Sequence, residues 1–397
     1  MIVDFSRILN EIRQEELTDF LQKAVQIPSD IETPGEETKI AHFIAETLKK
    51  DGIDSDLQMV AGETGESPNV IATLKGGSGK SITFNGHMDA VPPMDMKTPY
   101  SGKIVDGKLY GRGACDMKSG IIAMAYAMIA IKRSGVSLPG DLVLSAMVGE
   151  EYGSYGARDY VKRNSTTLTD YGVCGEPTDL RIGSAQKGLH WFEFTIPGKR
   201  THSSVPNEGV NALKRLTKVM AYIADELEPG LAQRVHPLLG PSLVNMGKAW
   251  GGEQPNVVPG EAFLQVERRH IPGETQADLE AEMQRVADAC SIGDPAYEIT
   301  FKSMPYSVRC PKTPMHVPDE HPIVQSAKKA GIELGLDLPI IGVPFWGDAG
   351  VLFDAGVPCI LFGPGRVKDA HSATECVVLE DVYKAAQVYA LMPFCLP

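Results

Sequence analysis

Near the N-terminus apolar residues recur at helical spacing, at Ile8, Leu9, Ile12, Leu17, Phe20, Leu21 and Ala24, and predict a helix over residues 5–25. Thr33-Pro34-Gly35-Glu36 has the form of a capping box with proline at the first helical position, and the helix it opens turns Ile40, Phe43, Ile44 and Leu48 inward. Strands are predicted at 54–60, 69–74 and 81–85, and a short one at 108–110 runs into Gly111-Arg112-Gly113. A long apolar helix follows over about 118–133, then a buried strand at 141–148, a helix at 154–163 and a strand at 171–174. This alternation predicts an α/β unit with a mostly parallel sheet covered by helices on both faces.

The pattern changes after Gly188. Residues 190–196 alternate as a strand and 206–227 read as an amphipathic helix. Strands at 242–248 and 262–270, a helix at 275–289 and a strand at 297–303 complete a β-α-β-β-α-β order, the ferredoxin-like unit. Beyond Met304 the first pattern resumes, with helices at 322–334, 349–354 and 380–391 and strands at 340–343 and 358–362. The expected organisation is a discontinuous catalytic domain, residues 1–188 and 304–397, interrupted by an inserted α+β domain at 189–303.

Composition narrows the function classes. With 43% hydrophobic and 22% charged residues, the 397-residue chain has an ordinary globular balance. Its net charge of −13 argues against nucleic acid and anionic membrane surfaces as partners. Seven scattered cysteines, with no C-x-x-C pair, suggest neither a thiolate zinc site nor a disulfide framework and fit a reducing, cytoplasmic compartment. The N-terminus lacks the apolar core of a secretion signal, and no apolar run is expected to span a bilayer.

The candidate chemistry sits at strand ends. In Ser81–Pro93, SITFNGHMDAVPP, a strand delivers His87 and Asp89 in H-x-D spacing, which suits a metal-ligating imidazole with its orienting carboxylate, or a loop histidine with a capping aspartate. Asp116 in GRGACDMKSG follows a glycine-rich turn, as a helix cap or a ligand. Glu150 and Glu151 follow an apolar strand, where adjacent like charges repel unless something cationic compensates. Glu176 repeats the theme after Tyr171–Cys174, and His371 follows the last strand. This mixed imidazole and carboxylate set, without thiolate, suits zinc, cobalt or manganese. Two metals sharing a bridging carboxylate can activate water and polarise a carbonyl, with one glutamate of the pair left as general base.

With these five segments in order, residues 16–391 resemble the M20 family of metallopeptidases and amidohydrolases, the group of acetylornithine deacetylase, succinyl-diaminopimelate desuccinylase and glutamate carboxypeptidase. The resemblance implies two divalent ions, zinc foremost. GHMDAVP makes His87 a ligand of one metal and Asp89 its orienting residue; GRGACDMK makes Asp116 the bridging ligand, with a cis Asp116–Met117 bond. In GEEYGS it makes Glu150 the general base and Glu151 a ligand of the second metal. Glu176 in CGEPT joins His87, His371 in AHSATE completes the second metal, and Glu375 supports the ligands from behind. In the insert, GKRTHSSVPNEGVNA makes His202 the oxyanion-stabilising residue, often supplied by a partner subunit, while Asn256 and Arg269 would hold the substrate carboxylate. For these three, helix capping, a turn and an intradomain salt bridge are the alternatives.

The expectation is a dinuclear amidohydrolase that cleaves an N-acyl amino acid by metal-activated water with Glu150 as base, under an insert that closes as a lid and pairs two copies as a homodimer. A carboxypeptidase or dipeptidase of the same fold is the alternative, and a non-catalytic carboxylate-binding paralogue the rival from another class. One loop departs from the family pattern, Phe345-Trp346-Gly347-Asp348-Ala349-Gly350, where Trp346 either lines the pocket or packs.

Overall fold

The computed structural model describes residues 4–30, 32, 35–62, 65–291 and 293–397. Its chain divides into two compact units, one formed up to Ala185 together with His316–Val343 and Gly347–Pro397, the other by Gln186–Met315 and Pro344–Trp346.

The first unit is built on a nine-stranded mixed sheet. Its order is Ser55–Ala61, Glu66–Leu74, Leu142–Met147, Ile82–His87, Tyr171–Cys174, Cys359–Leu361, Ile182–Gln186 and Met315–His316, with Ile340–Val343 also pairing to Ile182–Gln186. Four adjacent strands run parallel, Leu142–Met147, Ile82–His87, Tyr171–Cys174 and Cys359–Leu361. All six residues of Ile82–His87 are buried, as a central strand covered on both faces must be. The parallel expectation holds for this centre, while Glu66–Leu74 pairs antiparallel with both its neighbours.

Helix Ser119–Ser134 lies in the core, buried almost all round. The helical run Ala114–Ser134, 21 residues, is long and apolar enough to cross a membrane, contrary to the sequence expectation; 94% of its apolar window is buried inside the protein, so it is a core helix. Its start fits tightly under the sheet: a Cβ at Gly120 would lie 1.9 Å from the Gly175 carbonyl oxygen. Helix Leu379–Cys395 packs beside it and sends Tyr389 between Phe84 and Phe362, with ring centroids 5.4 and 5.5 Å away.

The N-terminal helix is broken into Ser6–Leu9 and Gln14–Gln26, with Arg13 extended between them. The apolar spacing carries the reason. Nine residues at about 100° each put Ile8 and Leu17 about 180° apart, so no single helix buries both. Thr33 and Pro34 of the expected capping box lie outside the described residues; the helix that follows, Glu36–Lys50, begins after Gly35 in the left-handed region.

In the second unit four antiparallel strands run in the order Leu243–Gly251, Glu261–His270, Gly188–Pro197 and Thr300–Ser303. With helices Ala212–Tyr222 and Gln276–Cys290 between them, this is the ferredoxin-like arrangement. The helix expected from 206 starts only at Ala212, because Gly209 is extended and the Asn211 side chain caps the next turn by accepting from the Lys214 N–H. Thr275 and Asp278 form a reciprocal capping box on the other helix. A separate apolar core, including Phe192, Phe194, Leu216, Leu264 and Met283, holds these elements together. All seven cysteines are free thiols.

Candidate metal centre

Because the four parallel strands share a direction, their C-terminal ends lie along one edge of the sheet, and the chain leaves that edge through His87, Gly149-Glu150-Glu151, Gly175-Glu176 and the loop to His371. Asp116 comes from the turn that precedes the core helix, and its peptide bond to Met117 is cis, as the family resemblance implied.

Asp116 stands between the two histidines. One oxygen lies 3.2 Å from His87 Nε2 and the other 3.3 Å from His371 Nε2. Glu176 approaches His87 Nε2 at 3.9 Å and Glu151 approaches His371 Nε2 at 3.1 Å. His87, Asp116 and Glu151 offer ligand atoms within 4.8 Å of one another. The five residues expected as ligands are thus brought together, Glu176 beside His87, Glu151 beside His371 and Asp116 between the two histidines.

His87 Nδ1 faces Asp89, 3.0 Å from its carbonyl and 3.3 Å from its carboxylate, which directs Nε2 toward Asp116 and Glu176. The Asp89 carboxylate also accepts the backbone N–H groups of Glu150 and Glu151 at 3.2 and 3.1 Å. Glu150 is 7% exposed at the start of the short helix Glu150–Gly153. Glu375 accepts the N–H groups of Cys115 and Asp116 at 2.9 and 3.1 Å, and its other oxygen meets the buried Arg112 guanidinium at 2.5 Å. Arg112 in turn donates to the carbonyls of Pro93 and Ser372, joining the loops that carry three of the ligands. Removing one partner of a buried pair strands the other charge. Glu375→Ala is therefore expected to lower unfolding free energy by about 3–5 kcal/mol, read by urea denaturation of metal-free protein; an unchanged midpoint contradicts this.

The electrostatics fit a cation. Burial works to lower His87, but Asp89, Asp116 and Glu176 outweigh it and hold the imidazole well above its ordinary range. Hydrogen bonds to Asp116 and Glu151 push His371 up to about 10. Burial raises Glu151 and Glu176, each with Asp116 as a repelling neighbour. Three carboxylates and two imidazoles around one point are a donor set that divalent zinc, cobalt or manganese neutralises, and Asp116 presents one oxygen to each half.

The second unit carries the other expected residues. The backbone pairs His202 with Val257, Ser203 N–H donates to Asn256, and His202 Nδ1 lies 2.7 Å from Ser204 Oγ, so His202 and Asn256 share one end of the unit. Arg269 lies at the other end of strand Glu261–His270 and its Nε donates to Glu267 at 2.6 Å, the intradomain bridge that the sequence left open. Trp346 is 6% exposed; its indole N–H donates to the Thr313 carbonyl and Lys312 sits 4.6 Å over its ring, so packing is what the geometry records.

Three further groups were given no role at the site by the sequence. Glu37 accepts the Gly149 N–H at 3.0 Å. Lys118, fully buried, donates to the carbonyls of Ala24 and Ile27 at the end of helix Gln14–Gln26. Asp348 is 1% exposed and pushed up to about 6, first by burial. Lys118 was legible in the DMK run; Glu37 was hidden in what reads as helix-capping chemistry.

Comparison with known proteins adds the family. A family model described as Peptidase family M20/M25/M40 matches residues 83–393. Acetylornithine deacetylase of Myxococcus xanthus is 29% identical over 353 residues, covering 86% of this chain and 88% of its own. N-formyl-4-amino-5-aminomethyl-2-methylpyrimidine deformylase of Bacillus subtilis is 27% identical over 348 residues, 81% of each. Among solved structures, a tripeptidase from Staphylococcus aureus has a TM-score of 0.80 at 23% identity, covering 96% of this chain and 98% of that one, a likeness of fold.

Proposed function

The chain belongs to peptidase family M20/M25/M40, and on that premise we propose that it is a dinuclear metal-dependent amidohydrolase that cleaves the amide of an N-acyl amino acid. The observation that carries this reading is Asp116, whose two oxygens face two different imidazoles at 3.2 and 3.3 Å. His87 and Glu176 would hold one ion, Glu151 and His371 the other, with Asp116 between them. Bound divalent ions supply Lewis acidity, polarising a carbonyl and making water acidic enough to attack near neutral pH.

Glu150 is the general base. Its backbone is fixed by Asp89, so its carboxylate meets water from a set direction. It accepts a proton from the attacking water as the oxygen bonds to the acyl carbon, then gives that proton to the amine nitrogen as the C–N bond breaks. The named relatives that act on acetyl and formyl amides support the acyl-amide reading. Release of amine from N-acetyl, N-succinyl and N-formyl amino acids, measured beside dipeptides on one metal-loaded preparation, tests it. Higher kcat/KM for acyl amino acids is expected; a preference for dipeptides moves the assignment to a dipeptidase.

His202, Asn256 and Arg269 are proposed to hold the substrate. From Ala262 to Arg269 is seven residues of strand, about 23 Å at 3.3 Å per residue, and His202 and Asn256 lie beyond the Ala262 end. Side chains so far apart in one unit do not reach one small substrate, which supports a homodimer in which His202 and Asn256 serve the partner's site. Among the described residues strand Leu243–Gly251 is an edge of its four-stranded sheet, with Leu243 and Trp250 exposed. A dimer mass by light scattering is expected. Mixing inactive His202→Ala with inactive Glu150→Gln protein should restore part of the activity, and no restoration would remove the trans assignment.

A further inference from the structure

The turn that carries Glu150 and Glu151 is held from outside. Four successive backbone N–H groups are taken by side-chain acceptors: Val148 by Asn69 at 3.1 Å, Gly149 by Glu37 at 3.0 Å, and Glu150 and Glu151 by the two oxygens of Asp89 at 3.2 and 3.1 Å. These acceptors come from strand Glu66–Leu74, from helix Glu36–Lys50 and from the segment after strand Ile82–His87. Within the segment the carbonyls are taken internally, that of Val148 by the Gly156 N–H at 2.9 Å, that of Gly149 by the Tyr155 N–H at 3.4 Å and that of Glu150 by the Ser154 N–H at 3.3 Å. The N–H groups of 148–151, by contrast, are held by the external acceptors.

Gly149 is the pivot. It sits at φ +67, a region glycine adopts without strain, so little in its own backbone preference resists rotation. Glu37 is a costly choice of acceptor. It also takes a hydrogen bond from Ser67, yet burial first, and then the nearby Asp89, push it up to about 7. An apolar residue there would avoid setting two carboxylates side by side. A carboxylate standing against that repulsion and bonded directly to the turn that carries Glu150 points to a role in the reaction.

We propose that Glu37 is a positioning residue, which by accepting the Gly149 N–H sets the direction in which Glu150 and Glu151 leave the strand. The kinetic part rests on the reading of Glu150 as general base; the structural part stands without it. A reacting group displaced by about 1 Å loses about 10²-fold in rate.

The test compares Glu37→Ala with Glu37→Gln in the full chain. Glutamine keeps an acceptor oxygen for Gly149 and alanine does not. In the metal-loaded enzyme, Glu37→Ala is expected to lose kcat by about 10²-fold with KM little changed, and Glu37→Gln to recover most of it. Hydrogen exchange read by mass spectrometry on the metal-free protein should show the amides of 148–151 exchanging faster in the alanine variant and as in the parent for glutamine. An alanine variant with parental kcat, parental exchange, or a glutamine variant as damaged as alanine, each overturns the proposal. Should the alanine variant not fold, Glu37→Asp draws the acceptor back by about 1.5 Å and is expected to move both readouts the same way. Failure of the general-base reading is separable: Glu150→Gln would then stay active while the exchange effect of Glu37→Ala persisted.

Discussion

Glu150→Gln is expected to bind its metals as the parent does and to lose about 10²–10⁴-fold in kcat. The substitution changes one oxygen to an amide nitrogen. The side chain stays nearly isosteric in a site where Glu150 is 7% exposed, so packing is preserved. The backbone is untouched, because its N–H is held by Asp89 rather than by anything on the Glu150 side chain. On the proposed mechanism, what is lost is the ability to take a proton from water and carry it to the departing nitrogen. Metal content by elemental analysis and kcat on the same sample check both halves. Parental turnover in the variant would end the general-base role; loss of metal together with turnover would make Glu150 a ligand instead.

Asp116→Ala is expected to have the opposite signature, losing metal first and activity as a consequence. Its carboxylate lies between His87 and His371, one oxygen facing each, so both halves of the donor set share it. The parent should hold about two equivalents per chain, the stoichiometry of a bridged site, lose activity to background on chelation and regain it when zinc, cobalt or manganese is restored. The alanine variant should retain less than half of that metal and stay inactive under the same restoration. A variant that still carried both equivalents would show that the two halves bind independently and that no shared carboxylate is needed. Removing Asp116 also leaves the imidazoles without one of the carboxylates that raise them. Metal content and activity should therefore be read beside a thermal melt, which separates a lost ligand from a lost fold.

How far the sequence reaches can be judged element by element. His87, Glu150, Glu151 and Glu176 sit at or within four residues beyond the ends of parallel strands, and strand ends of one direction must share an edge, so their convergence was legible from pattern alone, whereas Asp116 follows a glycine turn and His371 lies ten residues beyond Leu361. The ferredoxin-like unit was legible too, because strands Gly188–Pro197 and Glu261–His270 alternate between buried and half-buried residues over most of their length, as strands covered on one face do. Strand Ile182–Gln186 escaped notice although all five of its residues are buried, since the run IGSAQ has a single large apolar side chain and owes its place to pairing with Cys359–Leu361 and Ile340–Val343. The break between Ser6–Leu9 and Gln14–Gln26 was present in the spacing but is decided only when two faces must be buried.

By itself, then, the order of residues determined most of the elements, the chemical types at the strand ends and the family, because these rest on periodicity and on local turn chemistry. The tertiary structure alone decided that Asp116 presents an oxygen to each of two imidazoles, that Arg269 bonds to Glu267, and that Glu37, Asn69 and Asp89 share the four N–H groups of one turn. Those contacts join residues as many as 255 positions apart, Asp116 and His371. No local propensity encodes a hydrogen bond across such a separation. It is set by which strands pair, in what register, and by the requirement that buried polar groups find partners.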